Sequence, residues 1–525
     1  MSEVFRHLPG AVAAAVVAAL PLASHAASAA PVTTTTSASQ QQSQQGLLDQ
    51  DKLVTSSLHH ALLGRTTPYI YAVPGSIGPT LLLPASATPY DLSTLARNYP
   101  AAFEPGPGGS TILEIPLEVG PGATLVISSS TVPTLYLRST HVGYAHITAV
   151  QGSLLFEGTA TQPLRISSID PASGHPDSST ADGRAYVATE GGVMRLQHVA
   201  ASDLGFLTGI SSGVSWIPYG GTQPSGGTSE SSFRRNYFGV YASHARAFTA
   251  SNDVFAGNVL YGLDLHDRTD AAVISHSTAI NNGSHGFIVN RGCLADRFVA
   301  TRSAGNGGAG YLINSNHVEN GQAQYPSSET LLSGVTASDN FGAGILIHGG
   351  HGNSVVDSTI SGNEAGVLVV GRATGSTLHH NTVTASAGTA IEVAAGSSGA
   401  AITANHVEGA ATGIFSNQAT PTTIAGNVVT SILGTGIKLV GPVADMHLSG
   451  NKVSGTGAAP IFLNSEPQAS IQGATVVAWT VPGPNRWIRP LELLLWGLIL
   501  VPPLALFLWG RRRKRSKLAN YQESA

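Results

Sequence analysis

From Gly239 onward the chain repeats. Short apolar runs, each introduced by a small residue, recur at Gly262, Gly286, Gly310, Gly344, Gly366, Ala390, Gly413, Gly436 and Ala459, a period of about 23 residues. A unit this short cannot bury an apolar face alone; it must stack on copies of itself, so the chain is committed to a solenoid. Leucine-rich repeats share the period but need a Leu-rich consensus that is missing here. The runs alternate like strands, and the turns between them carry Gly-Asn at Gly257-Asn258, Gly305-Asn306, Gly362-Asn363, Gly426-Asn427 and Gly450-Asn451, residues that tolerate a left-handed corner. The expected fold is all-β, a right-handed parallel β-helix. With coils about 4.8 Å apart, its ten repeats would form a column roughly 45 Å long. The interval from Gly310 to Gly344 is about ten residues too long for the period, which predicts a polar loop around Asn316 to Ser328 on one face.

Upstream of Gly239 the period blurs. Residues 124–128, 134–137, 154–156, 185–187 and 194–196 still read as strands, so wider early coils are expected. The organisation read from the chain is a signal peptide at 1–29, a flexible Thr/Ser/Gln linker at 30–50, an N-terminal cap at 51–122, the β-helix at 123–465, a second linker at 466–488, a transmembrane helix at 489–510 and a basic cytoplasmic tail at 511–525. The signal peptide rests on Arg6 and His7 before a small apolar run and small-x-small cleavage sites around Ala26 and Ala29. The membrane span rests on the apolar run 491–509, bordered by Trp487 and Trp509 and followed by five basic residues from Arg511 to Arg515. Together these ends place the body of the chain outside the cytoplasmic membrane, on the periplasmic face if the cell is Gram-negative. A C-terminal sorting signal removed after export is the alternative reading of the tail.

Only 11% of the residues are charged and the formal net charge is −4, so nothing in the overall charge points to nucleic acid. Placement of the few charges is therefore informative. No lysine occurs between Lys52 and Lys438, while Arg234, Arg235, Arg246, Arg268, Arg291, Arg297 and Arg302 gather in one part of the chain. Arginine suits carboxylate ligands. Cys293 is the only cysteine, which excludes an intrachain disulfide and marks a small buried residue. His348, His351, His379 and His380 read as surface residues on turns, though they also suggest a metal-handling β-helix.

Folding the sequence into columns brings residues of successive coils together. Counting from each small leading residue, the fourth position reads Ser243, His266, Asn290, Asn314, His348; the fifth reads His244, Asp267, Arg291; and the second begins Tyr241, Asp264 before turning to Ile288 and Leu312. Strand alternation sets Asp264 and His266 on one face, opposite the inward Leu263, Leu265, Phe287 and Val289. The expected result is an outer cluster of Tyr241, His244, Tyr261, Asp264, His266, Asp267, Arg268, His285 and Arg291. A polar ladder serving only turns is the plain alternative, but such ladders usually repeat one residue type, and these residues are chemically complementary.

At these positions the sequence resembles the periplasmic mannuronan C-5 epimerases, which act on alginate. That family's hallmark is an Asp-Pro-His-Asp-Arg turn preceded by Tyr-Gly-Ile; here it reads Tyr261-Gly-Leu-Asp-Leu-His-Asp-Arg268. The resemblance extends to His285-Gly-Phe-Ile-Val-Asn-Arg291, Phe238-Gly-Val-Tyr241, Asp182-Gly-Arg-Ala-Tyr186 and Leu204-Gly-Phe206. It implies inversion of C-5 in a uronate already in polymer. His266 would be the general base, and Arg291 would neutralise the substrate carboxylate, with Arg268 as helper or structural residue. Asp264 or Asp267 would orient the histidine, and Tyr241, His244, Tyr261 and His285 would line the subsite. It calls for no metal or cofactor. Its implied partners are an anionic polyuronate and, beyond it, the polysaccharide export machinery, with the membrane reached through the C-terminal helix. The chain departs from the family in Leu265 for proline, in a spacing to Arg291 one residue shorter, and in its C-terminal anchor, which leaves the identity of the polymer open. A lyase passing through the same carbanion and a non-catalytic polysaccharide-binding or export scaffold are the competing readings.

Overall fold

The computed structural model describes residues 38–482 apart from 142, 316–324, 385, 395, 420, 442–445 and 465–469. The proposed signal peptide, the apolar run 491–509, the basic tail and most of the predicted polar loop lie outside the described residues. Among the described residues no helix is long and apolar enough to cross a membrane.

The chain winds into three long sheets whose neighbouring strands are successive coils. In the regular part, Val240–Ser243 of the first sheet leads to Thr249–Ser251 of the second and Val254–Ala256 of the third, before Leu263–His266 returns to the first. Pairing is parallel and in register: Tyr241 lies beside Asp264, Asp264 beside Ile288, and Ile288 beside Leu312. The column arrangement read from the repeat is therefore present, including Ser243 beside His266 and Asn290 beside Asn314. At the far end the frame shifts by one. Thr435 pairs with Ala459 and Ile437 with Ile461, so Pro460, rather than Ala459, stands beside Gly436.

Inward side chains from every coil fuse into one apolar column containing Leu263, Leu265, Phe287, Val289 and Cys293. Phe287 stacks on Tyr311 at 5.3 Å and meets Phe298 edge-on at 5.5 Å; burial of each such side chain is worth about 1.5–3 kcal/mol. The small leading residue has a steric cause. A Cβ on Gly262 would sit 2.5 Å from the carbonyl oxygen of Gly286 on the next coil, so this coil can close on its neighbour only with a residue that lacks a side chain.

The Gly-Asn turns divide their work differently from expectation. The glycines carry the left-handed backbone, with φ of 61° at Gly257 and 62° at Gly305. The asparagines are buried and form a ladder: Asn258 donates to Asn282 (2.8 Å), Asn282 to Asn306 (2.9 Å), Asn306 to Asn340 (2.9 Å) and Asn340 to Asn363 (2.9 Å). Amides serve here because each asparagine gives two donors, its backbone N–H and its amide, to the Oδ1 of the next coil's asparagine.

Several expected boundaries move. The solenoid begins before residue 123: Thr80–Leu83 pairs in parallel with Leu117–Val119, which pairs with His146–Val150. It also continues past 465, since Thr475–Thr480 pairs with Lys452–Thr456, which replaces part of the second linker with strand. The early coils are wider, as expected: Ile147 pairs with Val187, and Val187 with Val214. The expected cap supplies edge protection through antiparallel pairs, Tyr69–Tyr71 on Thr80–Leu83 and Phe103–Pro105 on Thr111–Leu113, which occupy strand edges that would otherwise be free.

The largest correction concerns residues 30–50, read as a flexible linker. Ala38–Leu62 is a helix of 25 residues lying on the outer face of the first sheet. Leu48, Val54 and Leu58 are buried there beside Gln44, Asp51 and Thr55. Asp51 accepts from His146 Nε2 at 2.7 Å and from the Tyr186 hydroxyl, and Thr55 donates to Glu118 at 3.0 Å. Half of the buried stripe is polar because the sheet surface beneath it is polar.

Candidate active site

The sequence-predicted cluster sits on the outer face of the first sheet at Val240–Ser243, Leu263–His266 and Phe287–Asn290. Alternation along Leu263–His266 sends Leu263 and Leu265 into the core and Asp264 and His266 to the opposite face. That face is crowded rather than open. Asp264 is 1% exposed, His266 6% and Tyr241 4%, with Phe238 packed against both Tyr241 and Tyr261 at centroid distances of 5.9 and 4.7 Å.

His266 is the centre of the cluster. Its Nδ1 lies 3.4 Å from Asp264 Oδ1 and 3.3 Å from Oδ2, and its Nε2 is 3.6 Å from Asp267 Oδ2. The Tyr241 ring lies 5.2 Å away. Burial depresses the imidazole pKa, but the charge and hydrogen bond of Asp264, joined by the charge of Asp267, outweigh burial and the opposing charge of Arg291, leaving it above its ordinary value. The carboxylates thus make the ring more basic. A proton on Nδ1 directed at Asp264 leaves the lone pair on Nε2.

Asn290, one coil beyond His266 in the same column, was not among the expected site residues. Its amide nitrogen is 3.2 Å from His266 Nδ1, while Asn314 donates to its Oδ1 at 3.1 Å. Two groups therefore address one ring nitrogen. With Nδ1 protonated toward Asp264, the Asn290 amide can present its oxygen to the ring only if the Asn314 amide turns with it. The column position gave the signal for this residue; an uncharged amide did not stand out among the ionisable groups.

The opposite flank is aromatic. Tyr261 stacks on His285 at 5.6 Å. His285 Nδ1 accepts the backbone N–H of Ala309 at 2.8 Å, so its proton belongs on Nε2. Burial pushes its pKa down, against the Ala309 hydrogen bond and the Asp264 charge, and it is neutral at pH 7. Burial and the Asp264 charge push Tyr261 up to about 12 and Tyr241 higher still, so both phenols keep their protons and can donate.

Arg291 closes the corner one coil beyond His266, half-buried, and its charge acts on both His266 and Tyr241. His244, Asp267 and Arg291 occupy successive corners with positive φ of 52°, 39° and 56°. The same conformation recurs at His276 and Ala300, so it belongs to the solenoid corner and does not single out the site. Two expected members stand apart. The exposed Arg268 guanidinium lies 4.1 Å over the ring of Tyr325. His244 hydrogen-bonds the Ser243 hydroxyl at 3.0 Å, and the charges of both His244 and Arg268 act on Asp270. The structure thus groups Tyr241, Tyr261, Asp264, His266, Asp267, His285 and Arg291, and leaves His244 and Arg268 at a neighbouring rim.

Chemically, the group combines a histidine made more basic by carboxylates, protonated tyrosines, a neutral histidine and a fixed cation. A family described as right-handed β-helix region matches residues 304–453. A mannuronan C5-epimerase of Pseudomonas putida is 25% identical over 260 residues, which cover 47% of this chain and 48% of that protein. The mannuronan C5-epimerase AlgG of Azotobacter vinelandii is 27% identical over 212 residues, covering 38% and 39%. The chain spans about half the length of the curated relatives it matches, or less. Among solved structures, the crystal structure of the periplasmic alginate epimerase AlgG superposes with a TM-score of 0.50 at 17% identity, covering 78% of this chain and 86% of that one. A double mutant of that enzyme gives 0.54 at 15%, covering 82% and 98%. At these identities the structural likeness speaks for the fold. The chain is thus a right-handed parallel β-helix protein whose sequence is similar to the mannuronan C5-epimerases.

Proposed function

We propose that this protein is an epimerase inverting C-5 of uronate residues in an exported polysaccharide. The observation that carries the reading is the buried Asp264–His266–Asp267 group facing protonated tyrosines with the Arg291 charge beside it. The C-5 proton is α to a carboxylate and weakly acidic, so the substrate carboxylate must be neutralised before the proton can leave. Arg291, half-buried one coil beyond His266, makes that pairing in this reading. His266 Nε2 takes the proton while Asp264 holds Nδ1–H, and the electron pair passes from the breaking C–H bond into the carboxylate. Tyr241, Tyr261 and the Nε2–H of His285 supply donors around the sugar. A proton returned from solvent to the opposite face re-forms the C–H bond with inverted configuration. Asp267, facing Nε2, stabilises by its charge the imidazolium formed when the proton is taken, and Arg268 and His244 serve the rim.

The sequence relatives support mannuronate as the first substrate to try. The test is proton NMR of polymannuronate in deuterated water with the purified chain and with His266→Ala. Deuterium at C-5 with guluronate appearing, lost in the variant, is expected. Ultraviolet absorbance from unsaturated chain ends would instead establish a lyase, and unchanged polymer a binding scaffold. The same reading places the protein outside the cytoplasmic membrane, held by residues 491–509 and working beside the export machinery. Release from membranes by salt alone would sink the anchor.

A further inference from the structure

The second sheet carries a trough that the reaction does not use. It crosses three successive strands, Val193–Gln197, Ser225–Ser229 and Thr249–Ser251, and encloses about 420 Å³, within the range of about 300–1,000 Å³ usual for small-ligand sites. Its shape follows from register. Arg195 lies beside Gly227 and Gly227 beside Thr249, while Gln197 lies beside Ser229 and Ser229 beside Ser251. The middle strand therefore offers only Ser225, Gly227 and Ser229 as a floor, between the exposed Arg195 and Gln197 on one coil and the exposed Thr249 on the other. A Cβ on Gly227 would sit 2.1 Å from the Thr249 carbonyl oxygen, so no side chain can fill the gap in that column. Arg246 stands at the corner beside this floor, its backbone N–H donating to Pro224 O at 3.4 Å.

The glycine thus has a structural cause, whereas the two arginines have none. Among the described residues neither the Arg195 nor the Arg246 guanidinium pairs with a carboxylate or donates a hydrogen bond. The acids nearby are engaged elsewhere. Asp253 accepts the Thr228 hydroxyl at 2.6 Å and the Ser231 N–H at 2.8 Å, and Glu230 pairs with His198 at 2.7 Å. Asp270, beside Arg246 on the next coil, accepts the backbone N–H of Leu294 at 3.1 Å. Glu157 stands one coil beyond Gln197, outside the lining. Free guanidinium forks suit the paired oxygens of a carboxylate, and the serines and Gln197 can meet the hydroxyls of a sugar. We infer that the trough is a second uronate-binding site, which holds a unit of the polymer away from the reacting one. The epimerase reading supplies the choice of ligand. Arg246 follows His244 of the reaction-site rim around the same corner, so a polymer leaving the first sheet over that rim meets the trough.

The test uses the full chain and mannuronate tetramers carrying a photoreactive benzophenone, with cross-linked peptides identified by mass spectrometry. Label is expected on residues 193–197, 225–229 or 246–251 in addition to the first sheet. Arg195→Gln and Arg246→Gln should each weaken labelling of the second sheet about fivefold or more, while C-5 exchange at saturating tetramer stays at the parent's level. No label on the second sheet, or label there that survives both substitutions, would overturn the trough. So would equal labelling by a neutral mannose tetramer with the same tag, since the carboxylate would then play no part. Displacement of the label by untagged tetramer but not by the same concentration of monomeric mannuronate is expected; equal displacement by the monomer would overturn the polymer as ligand and leave a site for small sugar acids. Exchange lost in both variants would place the arginines in the reaction and refute a separate site. Arginine-dependent labelling in a chain that performs no exchange would uphold the trough and sink the proposed reaction.

Discussion

Glu190 lies 9% exposed on the first sheet near Asp51 of the covering helix, and its replacement by glutamine makes a quantitative forecast. Burial, then the charge of Asp51, raise its pKa from 4.5 to about 7 against a small opposing pull from Lys52. Because the folded value lies above the unfolded one, the folded protein binds the extra proton between pH 4.5 and 7, and stability falls as pH rises through that window. The penalty is absent below the unfolded pKa and complete above the folded one. At 1.36 kcal/mol per unit it amounts to roughly 3 kcal/mol. Glu190→Gln removes the ionisation and keeps the shape. Urea denaturation of both proteins should therefore give a variant about 3 kcal/mol more stable at pH 8.5 and nearly equal at pH 4.5. The reasoning is falsified if the difference is the same at both pH values, for then packing rather than charge distinguishes the two side chains.

Four further outcomes follow from named contacts. Turnover should rise with pH through a value above the ordinary histidine pKa, because His266 must be neutral to act and its carboxylate neighbours raise it. Asp264→Asn should move that acid limb to lower pH and reduce kcat about 10²-fold or more, as read from a pH–rate profile; an unmoved limb would remove Asp264 from the proton chemistry. Asn340→Ala deprives the buried Asn306 of its acceptor and Ser303 and Asn363 of a donor, which should cost about 3 kcal/mol in chemical denaturation. A loss below about 1 kcal/mol would show that the ladder is replaceable by water. His266→Ala should abolish C-5 exchange while leaving the thermal unfolding midpoint within a few degrees of the parent.

Much of the site was legible because a solenoid converts sequence period into spatial neighbourhood. Once the coil length is known, Tyr241 must lie beside Asp264 and Ser243 beside His266, and strand alternation separates them from Leu263 and Leu265. The same rule placed Asn290 beside His266, although nothing in an amide announced its contact with a catalytic-type histidine. The period failed where coils are irregular. It missed the onset at Thr80, the shift that brings Pro460 beside Gly436, and the continuation to Thr480. The helix Ala38–Leu62 escaped notice because its buried stripe includes Gln44, Asp51 and Thr55, residues that count as solvent-facing until their partners are known.

The sequence by itself determined the architecture and the columns, because stacking identical turns is the only way so short an apolar repeat can bury its face. Tertiary structure alone decided which part of the outer face is closed. Thr55 meets Glu118 and Asp51 meets His146 and Tyr186 across long stretches of chain, and pairings of that kind obey no period. The same holds for the burial of Asp264 and His266. Facing outward is a local property of a strand, whereas being covered depends on Tyr241, Phe238 and Tyr261 arriving from neighbouring coils to exclude water.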